Sequence, residues 1–146
     1  MTPENLKPEA SFETKLVEHV RTSLSEKGIK LATTSSDNVQ VLYFGGSKLE
    51  ITVRIFCGDT YLTLHGTLPI TMSKAVLPDL LVYLNSLSAT IPIGNYEIHP
   101  ESRIVAFKVG VLIPPAPTAD QLSTLVYLVV ESLDSISNRA LEFGAK

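Results

Sequence analysis

Apolar positions recur with two different periods along this chain and divide it into helical and strand segments. In the first segment, four apolar residues recur at every fourth position: Phe12, Leu16, Val20 and Leu24. This spacing is typical of an amphipathic helix, which we expect from about Pro8 to Lys27. Gly28 follows and supplies the left-handed residue that commonly ends a helix. Residues 1–7 are predicted to form a flexible tail.

Strand-like alternation replaces the helical period between Ile29 and Leu68. Turn residues divide this region at Ser35–Asn38, Gly45–Ser47 and Gly58-Asp59, which predicts an antiparallel meander of three or four strands. One set of alternate positions is apolar: Leu49, Ile51, Val53, Ile55 and Cys57. The other set is polar: Glu50, Thr52 and Arg54. We therefore expect one buried and one solvated sheet face, with positive backbone angles at the glycines of the two later turns.

The second half of the chain predicts a helix, two strands and a long final helix. Leucines at helical spacing predict a helix over Leu77–Ala89, with Pro78 in its first turn. Strands over Tyr96–His99 and Arg103–Ile113 follow. Thr118 and Gln121 have the spacing of a capping box, which starts a helix from Ala119 to about Glu142. The element order α-β-β-β-α-β-β-α predicts an α+β fold of two layers with an antiparallel sheet.

Composition narrows the class of protein further. The 146 residues, 45% of them hydrophobic, fit one domain over positions 1–146, and the low charged fraction of 18% hints at a surface covered in an oligomer. A net charge of −3 with scattered basic residues gives no basis for nucleic-acid binding. The start lacks a basic and apolar leader, and no window approaches the ~18 apolar residues of a membrane helix. We therefore expect a cytoplasmic protein that does not bind membranes.

Reactive residues are few in this sequence. Cys57 is the single cysteine, so a disulfide framework within the chain is excluded. It could act as a nucleophile with His19, His65 or His99 as its base, but its place at the end of an apolar row favours a buried structural role. The three histidines lie in different elements and lack the spacing of a recognisable metal site. The sequence predicts no catalytic, cofactor-binding or metal-binding residues and no enzyme.

The turns and helix ends of the second half include four segments: Tyr83-Leu84-Asn85, Pro92 to Ile98, Pro100 to Arg103, and the strand that reaches Ile113-Pro114. Together these segments resemble those of the YbjN family of bacterial proteins. The YbjN family is similar in fold to the type III secretion chaperones. The resemblance implies a non-enzymatic protein, with a regulatory role as in YbjN proteins or a homodimeric, client-binding role as in the chaperones. The three prolines Pro114, Pro115 and Pro117 depart from the glycine-richer linker expected there.

These observations favour a protein-interaction module, chaperone-like or a regulatory adaptor, that binds a protein partner as a homodimer. Arg54, Tyr61 and His65 are the predicted recognition residues on the solvated sheet face. Leu80, Leu84 and Leu87 are the predicted self-association residues. The alternative is a small-molecule sensor with a pocket between the sheet and the C-terminal helix. That helix has more apolar positions than one buried stripe needs, so it is either deeply buried or part of an interface.

Overall fold

The computed structural model describes residues 12–32 and 38–146. The described helices are α1 (Phe12–Glu26), α2 (Leu77–Ser88), α3 (Ala119–Ser135) and α4 (Ser137–Gly144). The described strands are β1 (Val39–Gly45), β2 (Glu50–Cys57), β3 (Tyr61–Thr71), β4 (Asn95–Ile98) and β5 (Ile104–Leu112). The predicted tail, the predicted start of the first helix and most of the turn at Ser35–Asn38 lie outside the described residues.

The five strands form one antiparallel sheet in the order β1-β2-β3-β5-β4. The first three strands are joined by hairpins. The chain then passes through α2 to the far edge, forms β4, and returns through β5, which pairs with both β4 and β3. The predicted α+β class, the antiparallel sheet and the order of the elements are confirmed.

Burial follows the predicted alternation. In β2 the side chains of Ile51, Val53, Ile55 and Cys57 are buried in the core, whereas those between them are half-buried or exposed. The core lies between this side of the sheet and the helices, because α1, α2, α3 and α4 all contribute buried apolar side chains to the same cluster. The described helices therefore cover one face of the sheet and leave the other uncovered.

Helix α3 packs closely against β3. A Cβ atom placed on Gly66 of β3 would come within 2.7 Å of a methyl group of Leu133 and even closer to Val129. Helix α1 packs against α3, and Lys27 forms an ion pair with Asp120. Helix α3 is thus deeply buried between the sheet and α1, which accounts for its large number of apolar positions. Its start has the predicted capping box, since Gln121 N donates to Thr118 Oγ1 and Thr118 N to Gln121 Oε1.

The prediction of one continuous final helix from Ala119 to about Glu142 was wrong. The helix breaks at Ile136, where the backbone adopts φ −103° and ψ 2°, and α4 begins at the next residue. The hydroxyl groups of Ser135 and Ser137 donate to the carbonyls of Ser132 and Leu133. Serine side chains that bond to nearby backbone compete with helical hydrogen bonds, which explains the break.

The hairpin turns occur where they were predicted. The prediction of positive φ angles at the glycines of the two later turns was wrong. Among the described glycines, positive φ values occur at Gly28, which ends α1 as expected, and at Gly94. Gly46 is required for space instead, because a Cβ atom there would lie 2.5 Å from the Leu49 carbonyl oxygen and 2.7 Å from Asp134 Oδ1.

Candidate functional site

One face of the sheet is free of the described helices, and we call it the open face. Its side chains alternate with the core residues of each strand. They are Val39, Val41 and Tyr43 of β1; Glu50, Thr52, Arg54 and Phe56 of β2; Tyr61, Thr63, His65 and Thr67 of β3; Asn95 and Glu97 of β4; and Ala106, Lys108 and Leu112 of β5. With the exception of Ala106, these residues are half-buried or exposed.

A central row of side chains crosses the open face at right angles to the strands. Paired in register, its members are Val41, Arg54, His65, Lys108 and Asn95. Residues directly opposite each other on neighbouring strands have Cβ atoms about 5 Å apart. The row therefore places Arg54 and Lys108 on either side of the His65 imidazole.

His65 has one carboxylate partner on this face. Its Nε2 atom lies 3.3 Å from Oε1 of Glu97. Burial lowers the pKa of His65 below its ordinary value, and the charges of Arg54 and Lys108 act in the same direction, while Glu97 opposes them. The neutral imidazole is therefore favoured at neutral pH.

Among the described residues, the two neighbouring cations have no carboxylate partner of this kind. Within the described part of the chain, the ion pairs join Lys27 to Asp120, His65 to Glu97, and Arg139 to Glu142. The guanidinium of Arg54 and the ammonium of Lys108 are thus left without a carboxylate among the described residues.

Large apolar side chains accompany these charges. Phe56 and Tyr43 are exposed, and at one end of the face Tyr61 (59% exposed) lies opposite Leu112 (70% exposed). A shallow concavity of about 340 Å³ lies at the centre, lined by Phe56, Thr63, His65, Glu97 and Lys108. Exposed apolar groups that lie together are characteristic of contact surfaces.

The predicted recognition residues all lie on the open face. Arg54 and His65 are direct cross-strand neighbours. Tyr61 lies four residues before His65 on β3, about 13 Å along the strand. Sequence reasoning missed Phe56 and Lys108, although the alternation that placed Arg54 on this face also applies to Phe56, and Lys108 is the single charged residue of a long apolar strand.

The predicted self-association residues lie largely in the core. Leu80 and Leu84 are 1% and 2% exposed and pack within the chain itself, and Leu87 is half-buried against the same core. Their apolar spacing reflects the attachment of α2 to its own sheet. The large apolar side chains that α2 exposes are Leu81 and Val82.

A second concave region lies at the start of α3. It is a mainly apolar groove of about 480 Å³ between the end of β5, the proline-rich linker and the first turns of the helix. The residues that line it include Val111, Leu112, Pro117 and Leu125. The predicted alternative, a pocket between the sheet and the C-terminal helix, corresponds in place to this groove.

The candidate nucleophile Cys57 and the histidine of β3, His65, lie on opposite faces of the sheet. Cys57 is buried on the core side, whereas His65 lies on the open face. His19 Nε2 contacts the Pro117 carbonyl oxygen, and His99 Nδ1 accepts hydrogen bonds from the backbone amides of Glu101 and Ser102.

Within residues 12–32 and 38–146, no group of three metal-ligating side chains occurs. In the same ranges, no helix is long and apolar enough to cross a membrane.

Comparison with known proteins gives a structural match only. Neither the known family models nor the curated protein sequences match this chain. Among solved structures, it is similar to YbjN from E. coli, described as a proposed transcription regulator, with a TM-score of 0.64 and 10% sequence identity. The match covers 82% of this chain and 87% of the YbjN chain. The fold of this chain is therefore YbjN-like, as the resemblance in its turns and helix ends had indicated.

Proposed function

We propose that this protein is a non-enzymatic interaction module of the cytoplasm that binds a protein partner through the open face. The observation that carries the proposal is the open face itself, where exposed aromatic and aliphatic side chains surround a row of charged ones. Such a mixture suits a protein partner, because apolar contacts supply affinity and charges supply specificity.

The size of the open face indicates what kind of contact it makes. Five strands about 4.8 Å apart span roughly 19 Å, and seven residues, the length of β1, span about 23 Å. The projected area is roughly 400 Å², about half of what one partner contributes to a standard interface. A partner that contacts only this face would bind reversibly, which suits a chaperone-like module or a regulatory adaptor.

The structural comparison supports the regulatory form of this proposal. YbjN, which shares the fold, is described as a proposed transcription regulator. A net charge of −3 disfavours direct contact of this chain with DNA. This protein would then regulate through a protein partner that binds to the open face.

We extend the proposal to a homodimer formed through α2. Leu81 and Val82 are exposed on this helix, and Val82 is 68% exposed. These side chains lie on α2, away from the open face, so a dimer of this kind would leave two open faces accessible. Light scattering of the purified protein measures the number of subunits directly.

The test of the proposed function compares two surface variants. Phe56→Ser alters the open face, and Tyr127→Ser alters an exposed aromatic residue of α3 on the helical side. The tagged wild type and both variants are purified from native cells, and the proteins recovered with them are quantified by mass spectrometry.

We expect a stoichiometric partner with the wild type and with Tyr127→Ser, and its loss with Phe56→Ser. Circular dichroism of each variant checks that the fold is kept. Recovery of the same partner with all three proteins would contradict a role for the open face, and recovery of the bare wild type would contradict the proposal as a whole.

The groove at the start of α3 favours a second candidate function, a small-molecule sensor. Its volume of about 480 Å³ and apolar lining are in the range of ligand pockets. A metabolite panel in a thermal-shift assay tests this, with Thr124→Phe as the variant that fills the groove. A ligand that raises the melting temperature of the wild type but not of the variant would support the sensor.

A further inference from the structure

We infer that the occupant of the open face is an extended acidic segment of a protein partner, whose carboxylates pair with Arg54 and Lys108 while an apolar side chain covers Phe56. This inference rests on the proposed function and specifies the chemistry of its partner. It follows from three features of the open face: two central cations that have no carboxylate partner among the described residues, the separation of these cations, and the apolar groups beside them.

The first feature is the distribution of charge. Arg54 and Lys108 flank the centre of the face without a carboxylate among the described residues, and Glu97 is engaged by His65. The other open-face carboxylate, Glu50, lies four residues from Arg54 at the start of β2, about 13 Å along the strand. The chain as a whole is acidic, so this central region is a local exception to its net charge of −3.

The second feature is the separation of the cations. Arg54 on β2 and Lys108 on β5 are two strands apart, which corresponds to about 10 Å. Alternate residues of an extended chain point to the same side at intervals of about 7 Å. Carboxylates at positions i and i+2 of such a segment therefore come within reach of the long arginine and lysine side chains. A segment of about six residues is enough to cross all five strands.

The third feature is the apolar surround. Phe56 lies next to the central row and is exposed, and it lines the same concavity as His65 and Lys108. An acidic segment that carries an aromatic or branched side chain two residues before or after its carboxylates presents that side chain to the same side, where it can cover Phe56 while the carboxylates pair with the cations. A nucleic acid fits less well, because its binding relies on many phosphate contacts, and this face offers two permanent cations.

His65 makes this contact sensitive to pH. The charged groups that face its imidazole are Arg54 from β2, Lys108 from β5 and Glu97 from β4. A partner carboxylate placed among them favours the protonated imidazole, so binding takes up a proton. Affinity for the acidic segment is therefore expected to rise as the pH falls from neutral towards 6.

Fluorescence anisotropy with synthetic peptides tests the inference on the full chain. The probe is a labelled peptide of about eight residues with Glu at two successive alternate positions, Tyr at the alternate positions before and after them, and Ser at the positions in between. The first comparison peptide has Gln in place of Glu, and the second probe is a single-stranded oligothymidine. We expect the Glu peptide to bind at least tenfold more tightly than the Gln peptide, with an affinity that falls as salt is added.

Variants locate the binding site. Arg54→Gln and Lys108→Gln are each expected to weaken Glu-peptide binding about tenfold, which corresponds to the loss of one charged contact of about 1.4 kcal/mol. Lys48→Gln, an exposed lysine in the turn after β1, is the matched control and is expected to leave binding unchanged. His65→Gln is expected to remove the gain in affinity on acidification.

Three results would overturn the inference: equal binding of the Glu and Gln peptides, tighter binding of oligothymidine, or equal weakening by Lys48→Gln. These results are distinguishable from failure of the proposed function. If the cellular partner is lost with Phe56→Ser while the Glu peptide binds no better than the Gln peptide, the open face is still the interaction surface and its occupant is not acidic.

Discussion

Asp134 in the last turn of α3 accepts two hydrogen bonds from Ser47, one from the backbone amide at 2.7 Å and one from the hydroxyl at 2.9 Å. Ser47 lies in the turn between β1 and β2, so these bonds attach the end of the first hairpin to the C-terminal part of the chain. The two residues are 87 positions apart in sequence. The contact holds the β1 edge of the sheet against the helical layer.

Asp134→Ala is expected to lower the free energy of unfolding by about 1 kcal/mol. Hydrogen bonds to a charged group contribute roughly 1.5–3 kcal/mol, and solvent reduces this at an exposed turn. Urea denaturation measures the change, and a double-mutant cycle with Ser47→Ala isolates the hydroxyl bond. Glu131→Ala, an exposed acid on the same helix, serves as the control. Equal losses from both acidic positions would show that the bonds to Ser47 contribute nothing.

Gly66→Ala is expected to destabilise the protein by about 1–3 kcal/mol through overpacking. The added Cβ atom would lie within 2.7 Å of Leu133 and closer still to Val129, so α3 would have to move away from β3. Thermal or urea denaturation measures the loss.

The control for Gly66→Ala is Gly110→Ala on the neighbouring strand. A Cβ atom at Gly110 would meet its nearest neighbours at 3.7 Å, an ordinary contact distance. Val129→Ala combined with Gly66→Ala should recover part of the lost stability, because it removes the methyl groups that the new Cβ atom meets. A Gly66→Ala protein as stable as the wild type would contradict the close approach of α3.

The fold was largely predictable from local signals. The alternation from Leu49 to Cys57, the proline in the first turn of α2 and the capping box at Thr118 each report on a few neighbouring residues, and each prediction was confirmed. The break at Ile136 was missed because the apolar spacing runs across it. The serine hydroxyls that cause the break bond to carbonyls in ways that hydrophobic periodicity does not detect.

The candidate site was less accessible to sequence reasoning because it depends on non-local pairing. Alternation within one strand places Arg54 and His65 on the solvated face. The insertion of β5 between β3 and β4 places Lys108 beside His65 and brings Glu97 within reach, and no local pattern specifies that order. The leucines of α2 led to a different error, because Leu80 and Leu84 were predicted to lie at a self-association surface and are buried within the chain. Apolar spacing marks a buried face, but it does not say whether that face meets the same chain or another copy.

Acidification is expected to destabilise the protein through His65. Its pKa is lower in the folded protein than the ordinary value of 6.5, chiefly because of burial, so the unfolded chain binds more protons in the interval between the two values. Stability attributable to His65 is therefore present above pH 6.5 and is lost as the pH falls towards the folded-state pKa.

His65→Gln should flatten the dependence of unfolding free energy on pH in this interval, measured by urea denaturation between about pH 5 and 8. Glu97→Gln should have the opposite effect, because it removes the carboxylate that favours the protonated imidazole and so lowers the pKa further. A steeper dependence in His65→Gln than in the wild type would show that the sign is wrong. An NMR titration of the His65 ring measures the pKa itself.

The two faces of α2 should respond to substitution in different ways. Leu80→Ala removes a side chain that is 1% exposed, and truncation of a buried leucine costs about 2–5 kcal/mol, so unfolding free energy should fall without a specific effect on subunit number. Val82→Asp places a charge on an exposed position and should leave the monomer stable, while it dissociates a dimer formed through this helix. Light scattering over a range of concentrations distinguishes the two effects. A dimer that persists in Val82→Asp at the wild-type dissociation constant would exclude α2 as the self-association surface, because a desolvated aspartate at that position could not be accommodated without cost.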